Sequence, residues 1–143
     1  MRYLAIDYGT KMTGLAICDP SETIVSPLSV LATSKDLISK IADVVKNEGV
    51  GAIVLGLPMN MDDSIGPQAR IVHEFANELK NMVSVPIYFQ DERLSTYAAE
   101  GKLVSRELTR GKKRKRLDAV AAAEILQAFF DSRNSPPRIN PVR

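Results

Sequence analysis

An α/β fold, a mixed β-sheet flanked by helices, is predicted for this chain by three features of its sequence. Two four-residue apolar runs, Tyr3–Ile6 and Leu15–Cys18, are separated by a polar stretch too short for a helical crossover, so they read as an antiparallel hairpin. Further along, apolar runs of strand length alternate with segments whose apolar residues recur at helical spacing. Right-handed crossovers then make the later strands parallel to the first. The 143 residues, 45% hydrophobic and 25% charged, suffice for one domain with a sizeable core.

Each element has a local cause. Ile24–Leu31 reads as a third strand, and Pro27 inside it places that strand near a sheet edge. Ser34 caps a helix that runs to about Asn47, with Leu37, Ile38, Ile41, Val44 and Val45 on one face and Gly49 closing it. Ala52–Leu55 is a buried strand, followed by the loop Gly56–Ser64. A second helix starts near Pro67 and reaches Met82, with Ile71, Val72, Phe75, Leu79 and Met82 directed inward. Val85–Gln90 alternates as an outer strand, and Ser95 or Thr96 caps a short helix to about Val104. A basic segment, Arg106–Arg116, leads into a last helix, Leu117–Ser132. Residues 1–132 are thus expected to form a single domain, and 133–143, with three prolines and no apolar period, a flexible tail.

Composition narrows the function classes. No apolar run is long enough to span a bilayer, the N-terminus does not resemble a signal peptide, and the single Cys18 rules out an internal disulfide. A cytoplasmic location is therefore expected. The net charge of +2 is small but unevenly spread. Between Lys102 and Arg116 there are eight basic residues and one acid, Glu107, a density that favours a polyanionic partner.

Three polar segments should meet at one edge of the sheet. Asp7, the Pro58–Asn60 loop and Asp91-Glu92 each follow the C-terminal end of a strand expected to run the same way, the edge where open α/β sheets bind ligands. Asp118 sits early in the last helix on the face shared with Ala122, Ile125 and Phe129, the face expected to meet the sheet. If Asp7, Glu92 and Asp118 converge, their mutual repulsion calls for a divalent cation, and oxygen-only ligation suits Mg2+ or Mn2+. Carboxylates, such a cation and a basic approach surface together point to phosphodiester hydrolysis. Asp7, Glu92 and Asp118 are the candidate catalytic and metal-binding residues. Lys11, Asn60, Arg93, Lys112, Lys113, Arg114, Lys115 and Arg116 are the candidate nucleic-acid contacts. His73 has no Cys or His partner nearby, and Ser95 and Thr96 have no His–acid pair, so zinc and serine-type chemistry are not expected.

Four ordered motifs resemble the YqgF family of RNase H-like nucleases, relatives of the RuvC resolvases. They are Asp7-Tyr8-Gly9-Thr10-Lys11 with Gly14-Leu15-Ala16, then Gly56-Leu57-Pro58-Met59-Asn60-Met61, Asp91-Glu92-Arg93-Leu94-Ser95-Thr96, and Leu117-Asp118-Ala119-Val120-Ala121-Ala122. The resemblance implies an RNase H-like fold with a five-stranded sheet and a metal site at Asp7, Glu92 and Asp118. It also implies a cytoplasmic nuclease maturing the 5′ end of precursor 16S rRNA in the pre-ribosomal particle, or a Holliday junction resolvase acting on branched DNA. Met12 stands where members often have Arg or a polar residue, and Asp63 where many have Gly. Ala121 stands where RuvC-like enzymes carry a second acid.

Two rival readings stand beside this one, the first enzymatic and the second from another class. Asp7-x-Gly-Thr with Lys11 and Gly14 resembles the first phosphate loop of the actin, Hsp70 and sugar-kinase superfamily, but the chain lacks the second domain and second Gly-rich loop such proteins need. An RNA-binding protein that does not cut is the other rival. The oligomeric expectation, monomer or weak homodimer, follows substrate: cutting a junction symmetrically needs a two-fold dimer, and trimming RNA does not.

Overall fold

The computed structural model describes residues 1–60, 62, 64–94 and 110–134, and among these it is a five-stranded mixed sheet with helices on both faces. In chain order the elements are β1 (Arg2–Asp7), β2 (Met12–Cys18), β3 (Val25–Ala32), α1 (Leu37–Asn47), β4 (Val50–Leu57), α2 (Pro67–Lys80), β5 (Ile87–Asp91), a single 3-10 turn (Glu92–Leu94) and α3 (Arg110–Asn134). The strand order is β3-β2-β1-β4-β5, with β1–β2 and β2–β3 antiparallel and β1–β4 and β4–β5 parallel. This is the hairpin followed by parallel crossovers expected from the apolar runs, and β1 lies at the centre.

The three inner strands, β2, β1 and β4, are buried on both faces, so they carry continuous apolar runs and not a clean alternation. Leu4, Ile6, Leu15, Ile53 and Leu55 pack beneath α1 and α2 with Leu37, Ile41, Val72, Phe75 and Leu79. On the opposite face Tyr3, Ala5, Ala16, Ala52 and Val54 meet Ala122, Ile125, Leu126 and Phe130 of α3. Small side chains prevail on the sheet side of that second layer, and a helix can therefore lie close. Pro27 is tolerated on edge strand β3 because the β2–β3 register shifts there, Leu15 facing Ser29 and Ala16 facing Pro27. Gly49, at φ 65°, ends α1 in the left-handed region that glycine enters without strain.

Several boundaries differ from expectation. α2 stops at Lys80, and Ile71 and Met82 are 36% and 55% exposed instead of inward. Its buried stripe runs Ala69, Val72, Phe75, Ala76 and Leu79, so Ile71 lies one helical step off that face. α3 begins at Arg110, seven residues before the expected start at Leu117. The apolar period starts at Leu117, but backbone helix needs only helix-forming residues, and Lys and Arg are among the better ones. At its other end Arg133 and Asn134 continue the helix and do not belong to a loose tail. The short helix expected from Ser95 or Thr96 to Val104, and the tail beyond Asn134, lie outside the described residues. Among the described residues no helix is long and apolar enough to cross a membrane.

Candidate nuclease site

The central strand ends in Asp7, and the turn after it is held from two sides. Gly9 packs so closely on the Met12 carbonyl that a side chain there would clash, its Cβ falling 2.3 Å from that oxygen. Thr33, just past β3, donates its hydroxyl to the Gly9 carbonyl at 2.7 Å and its N–H to the Lys11 carbonyl at 2.9 Å. Asp7 itself is half-buried, and its carboxyl is pushed from an ordinary 3.8 up to about 7. Burial is the largest cause, followed by the negative charges of Glu92 and then Asp118. Asp7, Glu92 and Asp118 are therefore brought to one edge of the sheet from three elements: β1, the 3-10 turn after β5, and α3.

Glu92 is raised as well, by burial first and then by the charge of Asp91. Asp91 behaves oppositely. Arg93 Nε lies 3.0 Å from each Asp91 carboxylate oxygen and Nη2 lies 2.6 Å from Oδ2, which holds that carboxyl below its usual range. The adjacent acids are thus divided, one neutralised by its arginine and the other left to face Asp7. The same Arg93 donates through Nη1 to the Asn60 carbonyl at 2.9 Å, tying the β4–α2 loop to the site. Asn60 in turn bonds Ser64 through its side chain at 2.9 Å. Both candidate nucleic-acid contacts therefore have internal partners that shape the site's rim. Lys11 is exposed beside Asp7's turn, while Lys112–Arg116 form the first turns of α3, ahead of Asp118.

Among the described residues no three acids, histidines or cysteines are gathered tightly enough to enclose an ion as they stand. The chemistry of the donors nevertheless fits a hard divalent cation. All are carboxylates, and burial together with the charges of Glu92 and Asp118 raises the proton affinity of Asp7. One residue escaped the reading of the sequence. Gln90, next to Asp91, is only 6% exposed, and its Nε2 has no hydrogen-bond partner among the described residues. The signal was available: a polar residue set between Phe89 and Asp91 occupies the strand face opposite Ile87 and Phe89.

Known proteins resemble the chain over nearly its whole length. A family model described as RuvX, Holliday junction resolvase, matches residues 1–132. The chain is 42% identical over 137 residues to a protein of Anaeromyxobacter sp. (strain Fw109-5), covering 94% of this chain and 100% of that one. It is 38% identical over 133 residues to one of Roseiflexus sp. (strain RS-1), covering 92% and 94%. Both carry the provisional name pre-16S rRNA nuclease. Among solved structures, Thermus thermophilus RuvC in complex with a Holliday junction substrate superimposes with TM-score 0.58 at 17% identity, covering 93% of this chain and 95% of that one. Fowlpox virus resolvase with Holliday junction DNA gives 0.57 at 11%, covering 94% and 100%. At such identities these two establish the fold alone, which is RNase H-like. The chain belongs to the RuvX Holliday junction resolvase family, the YqgF family that its four motifs resemble, and it is a nuclease.

Proposed function

We propose that this nuclease hydrolyses RNA phosphodiester bonds in the 5′-end maturation of precursor 16S rRNA, acting in the cytoplasm on the pre-ribosomal particle. The observation that carries the chemistry is the crowding of Asp7 by Glu92 and Asp118 at the end of the central strand. The RNA substrate is supported by the names of relatives that match nearly the whole chain. Nucleases of the RuvC-like fold generally use a divalent metal. Here Asp7, Glu92 and Asp118 are the residues that would hold it, as Mg2+ or Mn2+. When bound, such a cation supplies the positive charge that activates water and stabilises the leaving oxygen of an in-line displacement.

The chain's own groups do the rest. Lys112, Lys113, Arg114, Lys115 and Arg116, which precede Asp118 on its helix, attract the phosphate backbone, and the exposed Lys11, in the turn after Asp7, adds to that attraction. The Asp91–Arg93 pair ties the β4–α2 loop to the strand end that carries Glu92. Hydrolysis adds one water across one P–O ester bond, leaving a phosphomonoester and a hydroxyl.

Junction cleavage is the second reading, favoured by the description of the family itself. It requires two sites related by a two-fold axis, and therefore a dimer. The test gives purified protein an RNA spanning the precursor 5′ end and, separately, a four-way DNA junction, each with Mg2+ and with chelator, while mass in solution is measured. Mg2+-dependent cleavage of the RNA by a monomer, absent in Asp7→Asn, is the expected result. Symmetric cleavage of the junction by a dimer would replace the RNA reading. RNA binding without cleavage under any metal condition would replace both with a binding protein.

A further inference from the structure

The row of residues that crosses the sheet at Asp7 has a glycine on either side of it. Gly14 of β2 is paired directly with Asp7. Gly56 of β4 lies one step beyond the Ile6–Leu55 pair, level with Asp7 on the other side. Strand alternation puts all three on the face covered by α3. Neither glycine has a positive φ, so backbone freedom does not explain them. What explains them is space.

A Cβ on Gly14 would fall 1.9 Å from the backbone oxygen of Asp118, 2.3 Å from its carbonyl carbon and 2.9 Å from the Ala119 nitrogen. The obstacle is helix backbone, which cannot swing aside as a side chain can. A Cβ on Gly56 would fall 2.5 Å from Ile125 Cδ1, and 3.1 and 3.2 Å from Cγ and Cδ of Glu92. Each glycine thus lies beneath one of the two acids that flank Asp7: Gly14 under the main chain that carries Asp118, Gly56 under the side chain of Glu92. Four alanines elsewhere in this layer, Ala5, Ala16, Ala52 and Ala122, show that a methyl group is accepted where no carboxylate is being placed. The geometry points to Gly14 and Gly56 as positioning residues, whose missing side chains set how near Asp118 and Glu92 come to Asp7 and hence whether the three acids can share one cation.

This rests on the reading of Asp7, Glu92 and Asp118 as cation ligands, and the experiment separates the two. Mn2+ binding is measured by electron paramagnetic resonance on the full chain, with thermal midpoints in chelator recorded alongside. Gly56→Ala alone confuses crowding of Ile125 with crowding of Glu92, so the variant that decides is Gly56→Ala combined with Ile125→Val. Removing Cδ1 takes away the tightest clash and leaves the pressure on Glu92. The double variant should regain most of the midpoint lost by Gly56→Ala, yet bind Mn2+ roughly tenfold more weakly than wild type, a loss typical when the supports of metal ligands are altered. Ile125→Val alone should bind Mn2+ as wild type does. Gly14→Ala is paired with Ala16→Val, which crowds the same helix from the same strand away from the acids. At equal loss of midpoint, only Gly14→Ala should lose metal affinity. Mn2+ affinity that returns with stability in the double variant would overturn the positioning role while leaving the ligands standing. Wild type that binds no Mn2+ would overturn the reading of the ligands and the positioning role with it.

Discussion

Asp7 shows how one side chain can record a site's demand. In the native protein its carboxyl is held up to about 7, against an ordinary 3.8, because burial and two like charges oppose ionisation. The native state therefore binds this proton more tightly than the unfolded chain does. Without a cation, stability falls as pH rises from about 4 through 7 and is lowest above that window. Asp7→Asn removes the titrating group and with it this slope. In chelator the variant should be more stable than wild type by roughly 4 kcal/mol at pH 8 and little different below pH 4. It should also be inactive. Denaturant unfolding at the two pH values checks the first part, and a variant less stable than wild type at pH 8 would contradict it.

At the scale of the element, α3 has two ends with different duties. Its N-terminal turns carry Lys112–Arg116, and Asp118 follows on the same helix. Replacing those five basic residues with Ser should weaken RNA binding across all sequences and reduce the salt slope by about 0.7 for each phosphate no longer neutralised. Affinities at several salt concentrations test this, and an unchanged slope would mean the run touches no phosphate. The C-terminal end is clasped to the opposite edge of the sheet. Arg133 donates to the Tyr3 hydroxyl at 2.9 Å and pairs with Glu22, which also holds the N-terminal ammonium group at 3.1 Å. Its guanidinium lies over the rings of Phe130, Tyr3 and Phe129 at 4.9, 5.4 and 5.8 Å. Arg133→Ala should lower the thermal midpoint by about 3 °C, since it removes a cation–π cluster and a helix-end cation together. No change in midpoint would show the clasp to be passive.

At the scale of the whole molecule, the sheet brings together what the chain keeps apart. Asp7 and Glu92 leave the same edge because β1 and β5 run the same way, each parallel to β4 between them. Asp118 joins them because α3 crosses the sheet at Gly14. Phosphate-gripping residues and a cation ligand on one helix make binding of the two ligands mutually dependent. RNA should tighten Mg2+ binding, and Mg2+ should tighten RNA binding by the same factor, of the order of tenfold. Calorimetric titration of Mg2+ with and without a non-cleavable RNA measures it. Asp118→Asn should reduce the coupling, and equal Mg2+ affinities in the two titrations would sink it.

Much of this molecule could be read along the chain. Apolar runs and their spacing record burial, and burial defined the hairpin, the edge position of β3 with its Pro27, and the parallel order that sends Asp7 and Glu92 to one edge. The helical period placed Asp118 on the face of α3 that meets the sheet. Other features depend on which surfaces touch, and no local period carries that information. Lys and Arg extend α3 back to Arg110 without any apolar signal. Ile71 is apolar yet turned outward, because the stripe that seats α2 passes through Ala69 and Val72. Arg93, read as a contact for nucleic acid, is bonded to Asp91 and to the Asn60 carbonyl. Gly14 and Gly56 stand in the sequence as members of two motifs, one just before the run Leu15–Cys18 and one just after Ala52–Leu55, with no spacing that gives their role. Their meaning comes from Asp118 and Glu92, far away in the chain, because close approach is a property of two surfaces that touch and only the packed fold brings both surfaces to one place.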